Sequence, residues 1–144
     1  MVNVIYNKKT DCPFGKLKVE RVIKLAANYE KKISGTVEGT VVSEKKIKQL
    51  NKDFRGKDKV TDVLSFSMRE GGEVTGPFFG ELYLCYRQIK RQAESYGVAK
   101  KEEFTRMLVH GLLHLSGYDH QKKNEAKKMF ALQEKIVVKA LNKV

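Results

Sequence analysis

Met107-Leu108-Val109-His110-Gly111-Leu112-Leu113-His114-Leu115-Ser116-Gly117-Tyr118 contains no charged side chain, in a chain where 32% of residues are charged. A helix that is apolar nearly all round is a buried helix, so a helix from Glu102 to Ser116 is expected at the centre of the fold. All 3 histidines of the protein stand in or just after this stretch, at His110, His114 and His120. At about 100° per residue, His110 and His114 lie one turn apart on the same helical face. Gly117 stands where the helix should end, and glycine readily takes the left-handed conformation that turns a chain back. That turn would bring His120 round to the other two.

Two readings compete for buried histidines. They are either core residues bonded to backbone carbonyls, since an unpaired buried polar group costs roughly 1–3 kcal/mol, or ligands of one metal ion. The pattern HxxxHxxGxxH, which takes in every histidine, favours the metal. Three protein ligands with one open position is the arrangement of catalytic rather than structural zinc. One zinc ion per chain is expected; imidazole also suits nickel and other divalent ions. Zinc peptidases with the HExxHxxGxxH signature carry a glutamate as general base after the first histidine. Here that position is Gly111, which weakens a peptidase reading, although a metal-bound water can ionise near pH 7 unaided. Asp119 is read either as a carboxylate orienting a ligand imidazole or as a turn residue bonded to local backbone.

Working outward, alternation marks a strand over Val2–Tyr6, and helical spacing of Val19, Val22, Ile23, Ala26 and Ile33 marks a helix from about Lys16 to Ile33, closed by Gly35. A β-branched run over residues 36–42 reads as a second strand. Ser43 and Glu44 look like a helix start, Ile47, Leu50 and Phe54 its apolar stripe, and Gly56 its end. Strands are expected over Val60–Met68 and Phe78–Tyr86, joined hairpin-fashion through Gly71–Pro77. Helices follow over Ile89–Tyr96 and Asn124–Leu141, the last with Met129, Phe130, Gln133, Ile136 and Val137 on its apolar side. The sum is one α+β domain over 1–144, a small four-stranded mixed sheet with about five helices. Cys12 and Cys85 form no CxxC and are read as the reduced thiols of a cytoplasmic protein. No stretch approaches a membrane span.

The chain has 29 Lys+Arg against 17 Asp+Glu, a net charge of +12, which suits a polyanionic partner. Residues 43–60 hold seven basic and three acidic side chains, and residues 121–144 seven Lys and two Glu. In the first of these segments, Leu50-Asn51-Lys52-Asp53-Phe54-Arg55-Gly56-Lys57-Asp58-Lys59, Arg55 stands just before a glycine at a helix end. A guanidinium there is suited to bidentate contact with phosphate. Lys52, Arg55, Lys57 and Lys59 are the candidate contacts to a nucleic-acid backbone.

The strings Phe54-Arg55-Gly56-Lys57-Asp58-Lys59, Thr61-Asp62-Val63-Leu64-Ser65-Phe66, Gly80-Glu81-Leu82-Tyr83-Leu84-Cys85 and His110 to His120 together resemble the YbeY family of bacterial metal-dependent endoribonucleases. The resemblance runs nearly end to end. It implies zinc on His110, His114 and His120, catalysis carried by Arg55 and His114, and a mixed sheet with the metal helix central. It also implies cleavage of single-stranded RNA in maturing the 3′ end of small-subunit ribosomal RNA, with the ribosome or its small-subunit precursor as partner. Glu81 departs from the family's more usual Asp. The competing readings are a zincin-like metallopeptidase or other metal hydrolase, and a non-catalytic ribosome-binding module held by structural zinc.

Overall fold

The protein is described by a computed structural model over residues 2–67 and 78–142. Nine elements follow in order among these residues: β1 (Val2–Lys8), α1 (Lys16–Tyr29), β2 (Gly35–Val41), α2 (Glu44–Arg55), β3 (Val63–Ser67), β4 (Phe78–Leu84), α3 (Tyr86–Tyr96), α4 (Lys100–Leu115) and α5 (Lys123–Asn142). The strands form one mixed sheet in the order β1-β2-β4-β3. β1, β2 and β4 are mutually parallel, and β3 runs antiparallel to β4 along one edge. This is the α+β architecture expected. The residues 71–77 expected to join β3 to β4 lie outside the described residues. Among the described residues, no helix is long and apolar enough to cross a membrane.

Side chains alternate across the strands, which divides the apolar residues into two clusters. Val63, Leu82 and Leu84 join the large core with α1, α4 and α5. Leu64, Phe66 and Tyr83 form a smaller cluster with Val42 and with Ile47 and Leu50 of α2. Helix α4 lies against β3 and β4 and is flanked by α1, α3 and α5. Its Phe104, Leu108, Val109, Leu112 and Leu113 are all buried, as the uncharged run requires.

Two glycines set how closely α4 sits on the sheet. A Cβ on Gly111 would stand 2.8 Å from Leu82 Cδ2 and 3.2 Å from both Ser65 Oγ and Val63 Cγ2. One on Gly80 would stand 2.6 Å from Leu115 Cδ2 and 2.8 Å from the backbone oxygen of Phe66. The carbonyl of a paired strand has no room to retreat. Gly80→Ala is therefore expected to cost about 1–3 kcal/mol through overpacking, more than the roughly 0.5–1 kcal/mol that removing a strand glycine returns. A lower urea midpoint at unchanged slope is the expected reading; an unchanged midpoint would mean that α4 shifts freely over the sheet.

Several element ends differ from the sequence expectation. α1 stops at Tyr29, because Glu30 turns extended while its N–H still bonds Ala26 O. Ile33 reaches the core from the turn beyond, not from the helix, and Gly35 at φ 84° opens β2. β3 begins only at Val63, whose N–H is held at 2.7 Å by the side chain of Asp62. α3 begins earlier, at Tyr86. By contrast α2 starts and stops as read: Ser43 Oγ accepts from Lys46 N–H, and Gly56 takes φ 71°.

Candidate metal centre

The last turns of α4 and the turn after it build the site. Gly117 adopts φ 100°, the left-handed turn expected, and His120 comes back to the α4 face. His114 Nε2 lies 3.1 Å from His110 Nε2 and 3.0 Å from His120 Nδ1. Each of the three rings offers a ligand nitrogen within 4.8 Å of the others. Among the described residues, no Cys, Asp or Glu joins this group.

The other ring nitrogens decide which proton each histidine carries. His114 Nδ1 lies 3.0 Å from Tyr118 O, a carbonyl that only accepts, so Nδ1 holds the proton and Nε2 a lone pair. His110 Nδ1 lies 2.8 Å from Gln133 Oε1. Gln133 Nε2 donates to Glu134 Oε2 at 3.0 Å, which turns the amide oxygen toward His110 and gives that ring the same tautomer. Two lone pairs therefore face each other across 3.1 Å. They repel unless a cation stands near both. A tetrahedral ion with metal–nitrogen bonds of about 2.0–2.1 Å separates its ligands by about 3.3–3.4 Å, a few tenths beyond the two contacts to His114. The residues thus fit a divalent metal ion in charge, tautomer and spacing.

Burial reinforces this. Desolvation lowers the pKa of His110, and desolvation together with the neighbouring His110 and His120 lowers that of His114 to about 4. Both rings are neutral at pH 7 and need lose no proton to bind metal. In the unfolded chain the same rings protonate near 6.5. The unfolded state therefore binds more protons between about pH 6.5 and 4, and metal-free stability falls as pH falls through that window. Melting of chelated protein at pH 7 and pH 5 should show the lower Tm at pH 5; equal values would remove the inferred desolvation.

Helical spacing alone puts Gln133 on the apolar side of the last helix and assigns it no role. It is 4% exposed, and a lone amide in an apolar stripe was the available signal. Behind it Arg106 binds Glu134 through two contacts of 2.9 Å, Glu102 at 3.0 Å and Glu103 at 3.1 Å. The ring of His110 is thus tied to a paired cluster joining α4 to α5. Phe130, expected to pack in the core, is instead 43% exposed and stacks 6.2 Å from the His110 ring.

A groove of about 770 Å³ opens over the histidines and is lined also by Arg55, Lys57, Lys59, Asp62, Ser65 and Asp119. Arg55 donates from its guanidinium to Ser65 O at 2.6 Å, and Ser65 Oγ donates to Gly111 O at 3.2 Å, linking the arginine to the metal helix. The loop carrying Lys57 and Lys59 is fastened to α2 by Asn51, whose side chain donates to Lys59 O and whose carbonyl accepts from Lys57 N–H. Lys52 lies on α2 outside the groove lining. Asp119 Oδ1 accepts from Gln121 N–H at 2.9 Å, while the ring-orienting contacts come from Gln133 and Tyr118. Glu81 accepts from Tyr83 OH at 2.8 Å, alternating with Gly80 and Leu82, which face α4.

Three converging imidazoles that could hold a metal ion, under an open, cation-rimmed groove, are the arrangement found in metal-dependent hydrolases. The chain belongs to the YbeY family: the family model described as Endoribonuclease YbeY matches residues 5–141. It is 40% identical over 130 residues to Endoribonuclease YbeY of Halalkalibacterium halodurans, covering 83% of this chain and 82% of that protein. It is 45% identical over 96 residues to Endoribonuclease YbeY of Ureaplasma urealyticum, covering 67% of this chain and 61% of that protein. The solution structure of a Thermotoga maritima protein superposes with a TM-score of 0.65 at 29% identity, covering 96% of this chain and 89% of that one.

Proposed function

We propose that the protein is a metal-dependent endoribonuclease that cleaves single-stranded RNA in the groove over His110, His114 and His120, acting in the cytoplasm on the 3′ region of small-subunit ribosomal RNA with the ribosome or its precursor as partner. Zinc is the proposed ion. The observation that carries the reading is the shared groove: the three imidazoles and Arg55, Lys57 and Lys59 line one cavity. A divalent ion bound there supplies Lewis acidity for phosphodiester hydrolysis.

The chain's own groups do the rest. Lys57 and Lys59 attract the RNA backbone, and a flexible single strand bends into the groove more readily than a duplex. Arg55, fixed by Ser65 O, keeps further guanidinium N–H groups for a phosphate oxygen, where charge builds during cleavage. Tyr118 O and Gln133 hold the imidazoles with their lone pairs toward the ion.

The peptidase alternative lacks its general base, because the residue after His110 is Gly111, where a Cβ would already stand 2.8 Å from Leu82 Cδ2 and 3.2 Å from Ser65 Oγ. The test is cleavage of single-stranded RNA by metal-loaded protein, its loss on chelation and its return with zinc or another divalent ion. Cleavage unaffected by chelation would overturn the reading, as would turnover of peptides without cleavage of RNA.

A further inference from the structure

Helix α2 ends on a residue that does not pack as its periodicity demands. Ile47 is fully buried, but Phe54 on the same stripe is 62% exposed. Its ring meets Phe66 edge-on, with centroids 5.4 Å apart and planes at 71°, and Phe66 meets Tyr83 in the same way at 5.8 Å. The guanidinium of Arg55 lies over the Phe66 ring, 4.9 Å from its centroid, while Arg55 also lines the metal groove. The Arg55 guanidinium and an exposed aromatic ring therefore both meet Phe66 at the β3 edge of the sheet, and Lys52 and Lys57, close in sequence, are also exposed.

We infer that Phe54 is a stacking site for one nucleobase of the single-stranded RNA, taken up beside the nucleotide whose phosphate Arg55 engages. The inference rests on the endoribonuclease reading and deepens it. Every base has a π-face, so one aromatic platform beside a cationic track holds single strands with little sequence preference. Phe66, itself met edge-on by Tyr83, braces the Phe54 ring by an edge contact, which leaves the exposed side of Phe54 for the base. The surrounding cations favour a polyanion on this patch over an apolar protein partner.

The chain contains 0 tryptophans, so Phe54→Trp provides a single fluorescent reporter on the site. Metal-loaded Phe54→Trp is mixed in a stopped-flow device with a short single-stranded RNA, or with the same RNA made abasic, and emission is read before cleavage. Quenching by the base-bearing strand well beyond that by the abasic one is expected. In steady state, Phe54→Ala should raise KM about five- to tenfold, the low end of what base–aromatic stacks lose on truncation, with kcat little changed and Phe54→Tyr restoring KM. Equal quenching by both strands, or a wild-type KM in Phe54→Ala, overturns the stacking site alone. A wild type that neither binds nor cleaves RNA overturns the endoribonuclease reading and this one with it.

Discussion

His114→Ala is expected to leave a folded protein with almost no bound metal and no RNA cleavage above background. Nε2 of this ring is the apex of the site, 3.1 Å from one ligand nitrogen and 3.0 Å from the other. Replacing a partner that merely orients a ligand typically costs metal sites about 10–100-fold in affinity or activity, and removing a ligand should exceed that. The side chain is only half buried and leaves α4 otherwise unchanged, so the metal-free fold should persist. The decisive comparison is thermal. Metal at 100 times its Kd adds about 2.7 kcal/mol to any protein that binds it only when folded. Wild type should gain Tm with zinc and His114→Ala should gain none. A variant that binds zinc as wild type does would remove His114 from the ligand set.

The second large effect is expected at Arg55. Arg55→Ala should lower kcat for RNA cleavage by about 10²–10³, the loss seen when one preorganised donor to a developing negative charge is removed. Metal content should be unchanged, because Arg55 touches Ser65 O and the Phe66 face rather than any histidine. Arg55→Lys separates charge from geometry. An ammonium keeps the charge but cannot bond the Ser65 carbonyl while offering a planar pair of donors to phosphate, so only a small part of kcat should return. Full activity in Arg55→Ala would leave the arginine as a prop for the β3 edge and nothing more.

The parts of the site that were readable in the sequence were the local ones. His110, His114 and Gly117 follow from the pitch of one helix and the freedom of one glycine, all within eleven residues of His120. Helix α2 was readable to the residue because Ser43 and Gly56 are chemically committed caps. Gln133 was not, because its meaning comes from a ring 23 positions away on another helix. The sheet order was hidden for the same reason: β4 pairs in parallel with β2 across an intervening helix and strand, and nothing local encodes that choice. Phe54 and Phe130 obeyed helical periodicity yet came out exposed, since periodicity reports which side of a helix is apolar and not what covers it. In the sequence Gly111 reads as a missing base. The structure adds the steric reason for its presence, which is the close seat of α4 on Leu82 and Val63.

The direction of α4 has one more consequence. The histidines occupy its final turns, so they stand near the end where the aligned peptide dipoles sum to roughly half a negative charge. That end attracts a cation and repels a phosphate. The many proteins that bind phosphate on a helix do so at the opposite end, using backbone N–H groups. Here the main-chain dipole would favour a bound cation and oppose a phosphate. On the proposed reading, capture of RNA would fall to the cationic side chains and to a bound ion, and the protein's surplus of positive charge would offset a field created by its own central helix.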